Sequence, residues 1–133
     1  MRFKYTKGHK SDSILVFAYH GKGASRLVGG SLNAVQQMAE AADANVYLMG
    51  HDHKKSCGMA SKIQWADGKT SHIKEKKMLF ARTGSFLLGY VENKPSYVVE
   101  KLLNPTDLGT VKIELTPKCT HNGGVKIDIH GGI

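Results

Sequence analysis

Two short apolar runs, each closed by a histidine, constrain this chain more than any other feature. Ile14-Leu15-Val16-Phe17-Ala18-Tyr19 is continuously apolar and stops at His20-Gly21. Val46-Tyr47-Leu48-Met49 repeats the pattern and stops at Gly50-His51-Asp52-His53. Uninterrupted apolar runs of this length mark strands covered on both faces, which is the situation of strands in a parallel sheet. Between them, Leu32, Val35, Met38, Ala39 and Ala42 recur at helical spacing, with Gln36, Gln37 and Glu40 among them. Ser31 or Asn33 is placed to cap that helix, and Asp43-Ala44-Asn45 to end it. Strand, helix, strand within this span is a βαβ unit, so the two strands are expected to be parallel neighbours.

The flanks follow other patterns. Arg2 to Tyr5 reads as a short strand and Lys7 to Asp12 as a turn. Gly21 to Ser31 is glycine-rich and reads as a loop. Ile63-Gln64-Trp65-Ala66, then Asp67-Gly68, then Lys69 to Ile73, is the signature of a hairpin closed by two residues. Lys77 to Ala81 and Ser85 to Tyr90 are expected as further strands. Val111, Ile113 and Leu115 alternate with polar residues, as do Val125, Ile127 and Ile129, around a turn at Asn122-Gly123-Gly124. The expected fold class is α/β, a βαβ unit followed by antiparallel strands, in a single domain over 1–133. That size suits one core.

Charge narrows the partners. Lys plus Arg is 19 against 11 for Asp plus Glu, a net charge of +8. Phosphates, nucleic acid or an anionic surface are therefore favoured partners. The longest apolar run is far too short to span a bilayer, and Met1 to Lys10 has no apolar core of a secretory leader. Cys57 and Cys119 form neither a CxxC pair nor a disulfide framework, which fits the reducing cytoplasm.

The chemistry lies in the histidines. Ligands of open parallel sheets sit beyond the carboxyl ends of the strands. His20, His51 and His53 are thus expected at one rim, and imidazole suits Zn, Mn, Fe or Ni. Residues two apart in an extended chain face the same side, so His51 and His53 are placed to share a metal or to serve two adjacent ones. One histidine at a strand end is ordinarily a capping or solvent-facing residue; three at the same ends of neighbouring strands make a narrower coincidence. Metal binding needs neutral imidazoles, so it weakens in acid.

Tyr19-His20-Gly21, a glycine-rich loop, a helix, and then Val46-Tyr47-Leu48-Met49-Gly50-His51-Asp52-His53-Lys54 resemble the last two motifs of the calcineurin-like metallophosphoesterases. The phage-type members are the nearest in pattern. Arg82-Thr83-Gly84-Ser85-Phe86-Leu87, Gly89-Tyr90, Ser96-Tyr97 and Leu108-Gly109 extend the resemblance, which runs from Ile14 to Leu115. It implies the C-terminal half of a four-layer α/β/β/α sandwich and a two-metal phosphoesterase, acting on phosphomonoesters or phosphodiesters, nucleic acid among them. In it His20 and His51 would ligate one metal and His53 the other. It also implies residence in the cytoplasm, that of a host cell for a phage protein.

The family's Asp-x-His, Gly-Asp-x-x-Asp and Gly-Asn-His motifs are missing. Asp128-Ile129-His130 matches the first pattern only at the far end of the chain, where a strand with solvent-facing polar residues is the simpler reading. Without a bridging carboxylate, two cations a few ångströms apart repel strongly, so the histidines alone are expected to hold one metal. An N-terminal half on another chain would complete the site; homodimerisation through an open sheet edge is another expected partnership.

Lys22, Ser25 and Arg26 offer cations, a hydroxyl and backbone N–H groups for a substrate phosphate, against a plain glycine-rich connection. Asp52 is either an outer-shell carboxylate orienting a histidine or an exposed residue. Cys57 reads as an unpaired thiol and Trp65 as a hairpin packing residue. The competing function is a catalytically inactive basic domain that binds nucleic acid or a protein. A poorly folded remnant is a third reading.

Overall fold

The computed structural model describes residues 1–21, 27–66, 72–106 and 108–133. The βαβ unit is as expected. β1 (Arg2–Lys7) and β2 (Lys10–Tyr19) form an antiparallel hairpin. β2 then runs parallel to β3 (Val46–Met49), with Val16 opposite Val46 and Tyr19 opposite Met49. α1 (Val28–Gln36) and α2 (Met38–Ala41) make the crossover. β4 (Ser56–Ala66) and β5 (His72–Arg82) form a long antiparallel hairpin, and β5 adds to β3 as a third parallel strand. The sheet order is β1-β2-β3-β5-β4. α3 (Tyr97–Glu100) follows, and β6 (Lys112–Cys119) with β7 (Val125–Gly132) forms a separate two-stranded antiparallel sheet. The protein is therefore mixed α/β. No helix among the described residues is long and apolar enough to cross a membrane.

Alternation along the central strands divides the core in two. Leu15, Phe17, Tyr47, Met49, Met78 and Phe80 face the helices and pack with Val35 and Met38. Their sequence neighbours Ile14, Val16, Val46, Leu48 and Leu79 face the β6–β7 sheet and pack with Ile127 and Ile129. This is the period of two expected of strands covered on both faces. Tyr47 ties its ring into the crossover: its hydroxyl donates to Ala42 O and accepts from Ala44 N, both at 2.8 Å.

Several expectations are corrected. The turn before β2 is confined to Gly8-His9, where Gly8 at φ +60° lets Lys7 pair directly with Lys10. Burial of β2 on both faces holds only around Ile14; Ala18 and Tyr19 are exposed. The β6–β7 sheet does not close over that end and leaves an open apolar gap of about 430 Å³ beside Phe3, Val16, Leu48, Ile113 and Leu115. Neither Ser31 nor Asn33 caps the helix. Leu27 is the capping residue, without a side-chain bond, and Ser31 lies buried inside α1.

Ala66 pairs with His72, so five residues separate the paired ends of β4 and β5 instead of two; Asp67-Gly68 lies outside the described residues. Lys77 to Ala81 belongs to β5 and is no separate strand. Ser85 to Tyr90 is irregular, because Ser85 Oγ accepts from Leu87 N at 2.9 Å and donates to Leu87 O at 3.2 Å, which folds the chain locally. Trp65 is not packed inward but exposed. Neither Ser96, which caps α3 by accepting from Val99 N, nor α3 itself was signalled by periodicity, since one turn is too short to show any.

Candidate metal centre

β2, β3 and β5 end at one rim. Tyr19 and Met49 are level, so His20 and Gly50 leave the sheet side by side, and Thr83 N donates to Met49 O at 3.1 Å to bring the end of β5 alongside. His20 Nε2 and His51 Nδ1 lie 3.0 Å apart. The rings meet edge to face, with centroids 5.0 Å apart and planes at 87°. Both are exposed. His20 borders a shallow depression of about 360 Å³ that Tyr19, Met49, Gly50 and Thr83 also line.

The turns that deliver the two rings are tightly specified. Gly21 has φ +82°, and a Cβ there would come within 2.5 Å of Met49 Cγ. Only glycine lets the chain leave β2 this close to β3. His51 and His53 both have positive φ, +76° and +57°. A left-handed backbone at a residue with a Cβ costs roughly 1–2 kcal/mol and persists only where surrounding contacts hold it.

Those contacts centre on Arg82, the last residue of β5 and fully buried at 0% exposure. The alternation of β5 puts Arg82 on the helix side with Met78 and Phe80. Its Nε donates to Ser31 O at 2.9 Å, Nη1 to Gly50 O at 3.2 Å, and Nη2 to Met49 Sδ at 2.8 Å. Nη1 also pairs with Asp52 Oδ1 at 2.5 Å. Ser31 Oγ donates to the other Asp52 oxygen. The Asp52 side chain is 6% exposed. Asp52 is therefore neither exposed nor set against a histidine: its carboxylate neutralises Arg82. The pair clamps the Gly50 to His53 turn onto α1 and so fixes where His51 projects.

His53 does not join the other two. Extended backbone was the condition for His51 and His53 to share a side, and two left-handed residues remove it. Among the described residues no three His, Cys, Asp or Glu side chains are gathered as metal ligands. Lys22, Ser25 and Arg26 lie outside the described residues. Asp128 is paired with Lys118 at 2.7 Å, between the buried Ile127 and Ile129, as a solvent-facing strand residue would be. Cys57 is half-buried, and burial pushes its thiol pKa up, which keeps it a weak nucleophile and a poor ligand.

The residues present fit a single cation in part. Nitrogens 3.0 Å apart suit two adjacent ligands at bonds of about 2.1 Å. With one nitrogen protonated, the same spacing is a neutral hydrogen bond. No carboxylate accompanies the pair among the described residues.

Arg82 and Ser31 are the residues that the sequence did not disclose as part of this site. The available signal was an arginine ending the apolar run Met78-Leu79-Phe80-Ala81, with an acid lodged between two histidines elsewhere. A buried arginine needs such a partner. Comparison with protein-family models, with curated proteins and with solved structures gives no match.

Proposed function

We propose that this chain carries the histidine-bearing, C-terminal part of a metal-dependent phosphoesterase, cytoplasmic, whose carboxylate motifs are supplied by residues outside residues 1–133. The supporting observation is the 3.0 Å approach of His20 Nε2 and His51 Nδ1 at the carboxyl ends of adjacent parallel strands. His20 and His51 hold one divalent cation (Mn, Zn, Fe or Ni) through these two nitrogens, each presenting a lone pair. When bound, the cation supplies Lewis acidity and a more acidic water for attack on phosphorus. Arg82 and Asp52 keep the His51 turn in place; neither faces substrate. His53 is assigned to a second cation, which only an added carboxylate can bring close. The substrate class is a phosphomonoester or phosphodiester, nucleic acid included, in keeping with the net charge of +8.

The test combines binding with turnover. Calorimetric titration with Zn²⁺ or Mn²⁺ is expected to show one site, lost in His20→Ala and in His51→Ala. Hydrolysis of bis-nitrophenyl phosphate in Mn²⁺ is expected once a chain carrying the missing motifs is added, and is expected to disappear in His51→Ala. Turnover unchanged in that variant rejects the hydrolase.

The absence of gathered carboxylates among the described residues, with the excess of positive charge, favours one alternative: an inactive basic domain that binds nucleic acid. Its mark is salt-sensitive DNA binding that neither EDTA nor loss of His20, His51 and His53 alters.

A further inference from the structure

The two edges of the five-stranded sheet are unalike. β1, one edge, carries Arg2, Lys4 and Lys7 in six residues. Charged side chains of this kind are how sheet edges are kept from pairing with another chain. β4, the other edge, is 11 residues long and has no proline. Its one charge, Lys62, is held by Asp43 at 2.7 Å. No backbone hydrogen bond from the other described loops covers its outer side. The face beside this edge is open and holds a row of apolar residues, Met59 50% exposed, Ile63 74%, Trp65 71% and Ile73, which pairs with Trp65, 61%; Ser61 interrupts the row, and Glu75 and Lys77 of β5 stand beside it, opposite Ile63 and Ser61. A long edge strand with one lysine, itself ion-paired, and an apolar row along one face is a template for strand addition.

We propose that β4 is a homodimer interface, in which β4 pairs antiparallel with β4 of a second copy across a two-fold axis at Ser61. The strand's own sequence selects this occupant. With Ser61 opposite Ser61 of the partner subunit, Met59 faces Ile63 of the partner subunit, and Cys57 faces Trp65 of the partner subunit. Side chains directly opposite in an antiparallel pair share a face, so every pair on the exposed apolar face except the central serines joins Cys or an apolar residue to an apolar one. Lys62 falls opposite Ala60 of the partner subunit, so the two lysines do not confront each other. Each copy carries a net charge of +8. Two copies repel less along β4, whose one lysine shares Asp43 with Lys76, than along β1, which carries three cations in six residues. The interface is isologous, as a two-fold requires, and leaves the His20–His51 rim uncovered by the pairing itself. It does not depend on the metal reading.

Trp65 is the only tryptophan of the chain and reports on the interface directly. Sedimentation of the full chain is expected to give twice 14.5 kDa at micromolar concentration. Trp65 emission is expected to move to shorter wavelength as dilute monomer becomes dimer. Ile63→Lys is expected to weaken the dimer at least tenfold and to abolish the emission shift, with the parent's unfolding midpoint when both are diluted to monomer, because residue 63 is on the surface. In a Cys119→Ser background, Ser61→Cys is expected to form an intermolecular disulfide on mild oxidation, since opposed strand residues lie within disulfide reach; Lys4→Cys, on the other edge, is not. A chain that stays monomeric from nanomolar to millimolar concentration overturns the proposal. So does Ile63→Lys associating like the parent, or Lys4→Cys cross-linking in place of Ser61→Cys. Should Ile63→Lys not fold, the two cysteine variants decide.

Discussion

Arg82 shows how much a single residue can set at this site. Its guanidinium meets the peptide oxygens of Ser31 and Gly50, the Met49 sulfur and the Asp52 carboxylate. Removing one partner of a buried ion pair leaves the other charge without compensation, which typically costs 3–5 kcal/mol. Arg82→Met is accordingly expected to lower the unfolding free energy by about 3–5 kcal/mol, read from urea denaturation. Asp52→Asn leaves the buried Arg82 cation without its anion and is expected to cost a similar amount. That His20 and His51 would meet follows from two strand ends and a right-handed crossover. That Asp52 would turn away from both, toward an arginine thirty residues later, depends on β5 lying next to β3. No spacing in the sequence encodes that neighbour.

At the scale of elements, Asp43 fastens the end of the helical crossover to the β4–β5 hairpin. Lys62 and Lys76 are directly opposed across that hairpin, an arrangement that repels unless an anion lies between them. Asp43 supplies it, at 2.7 Å from Lys62 and 2.8 Å from Lys76. Hydrogen bonding to Lys62, then to Lys76, holds its carboxyl pKa down at about 2. A carboxylate whose folded pKa is depressed stabilises fully above its ordinary value of 3.8, and loses that contribution as pH falls through about 2. Asp43→Asn is therefore expected to reduce stability at pH 7 and to make no difference below pH 2, as thermal unfolding across pH would show. Asp43 is more than half exposed, so solvent screening keeps the effect below about 1 kcal/mol. Sequence periodicity located the helical crossover, and of β4 only its last four residues, Ile63 to Ala66. The ion triad was not legible, because Lys62 and Lys76 are brought together only by a register set five residues apart at the hairpin end, where Asp67-Gly68 signalled two.

Taken whole, the molecule is a sheet covered by helices on one face and by the β6–β7 hairpin on part of the other. The histidine pair stands on its rim, outside both core clusters. On the proposed metal reading, a cation bound there would add stability by mass action. At a cation concentration 100 times the dissociation constant, the expected gain is about 2.7 kcal/mol. It is read as a rise in the thermal midpoint that EDTA reverses and His20→Ala abolishes.

The sequence by itself determined the α/β class, the parallel pairing of β2 with β3, the β6–β7 hairpin and the convergence of His20 with His51. Each follows from local periodicity and from the handedness of one crossover, which act over short stretches of chain. Only the tertiary structure decided that β5 joins the parallel strands, that Arg82 and Asp52 neutralise each other beneath α1, and that His53 parts from its neighbours. Burial of charge and left-handed backbone at two histidines are settled by residues that meet from distant parts of the chain, and that meeting exists only once the sheet has formed.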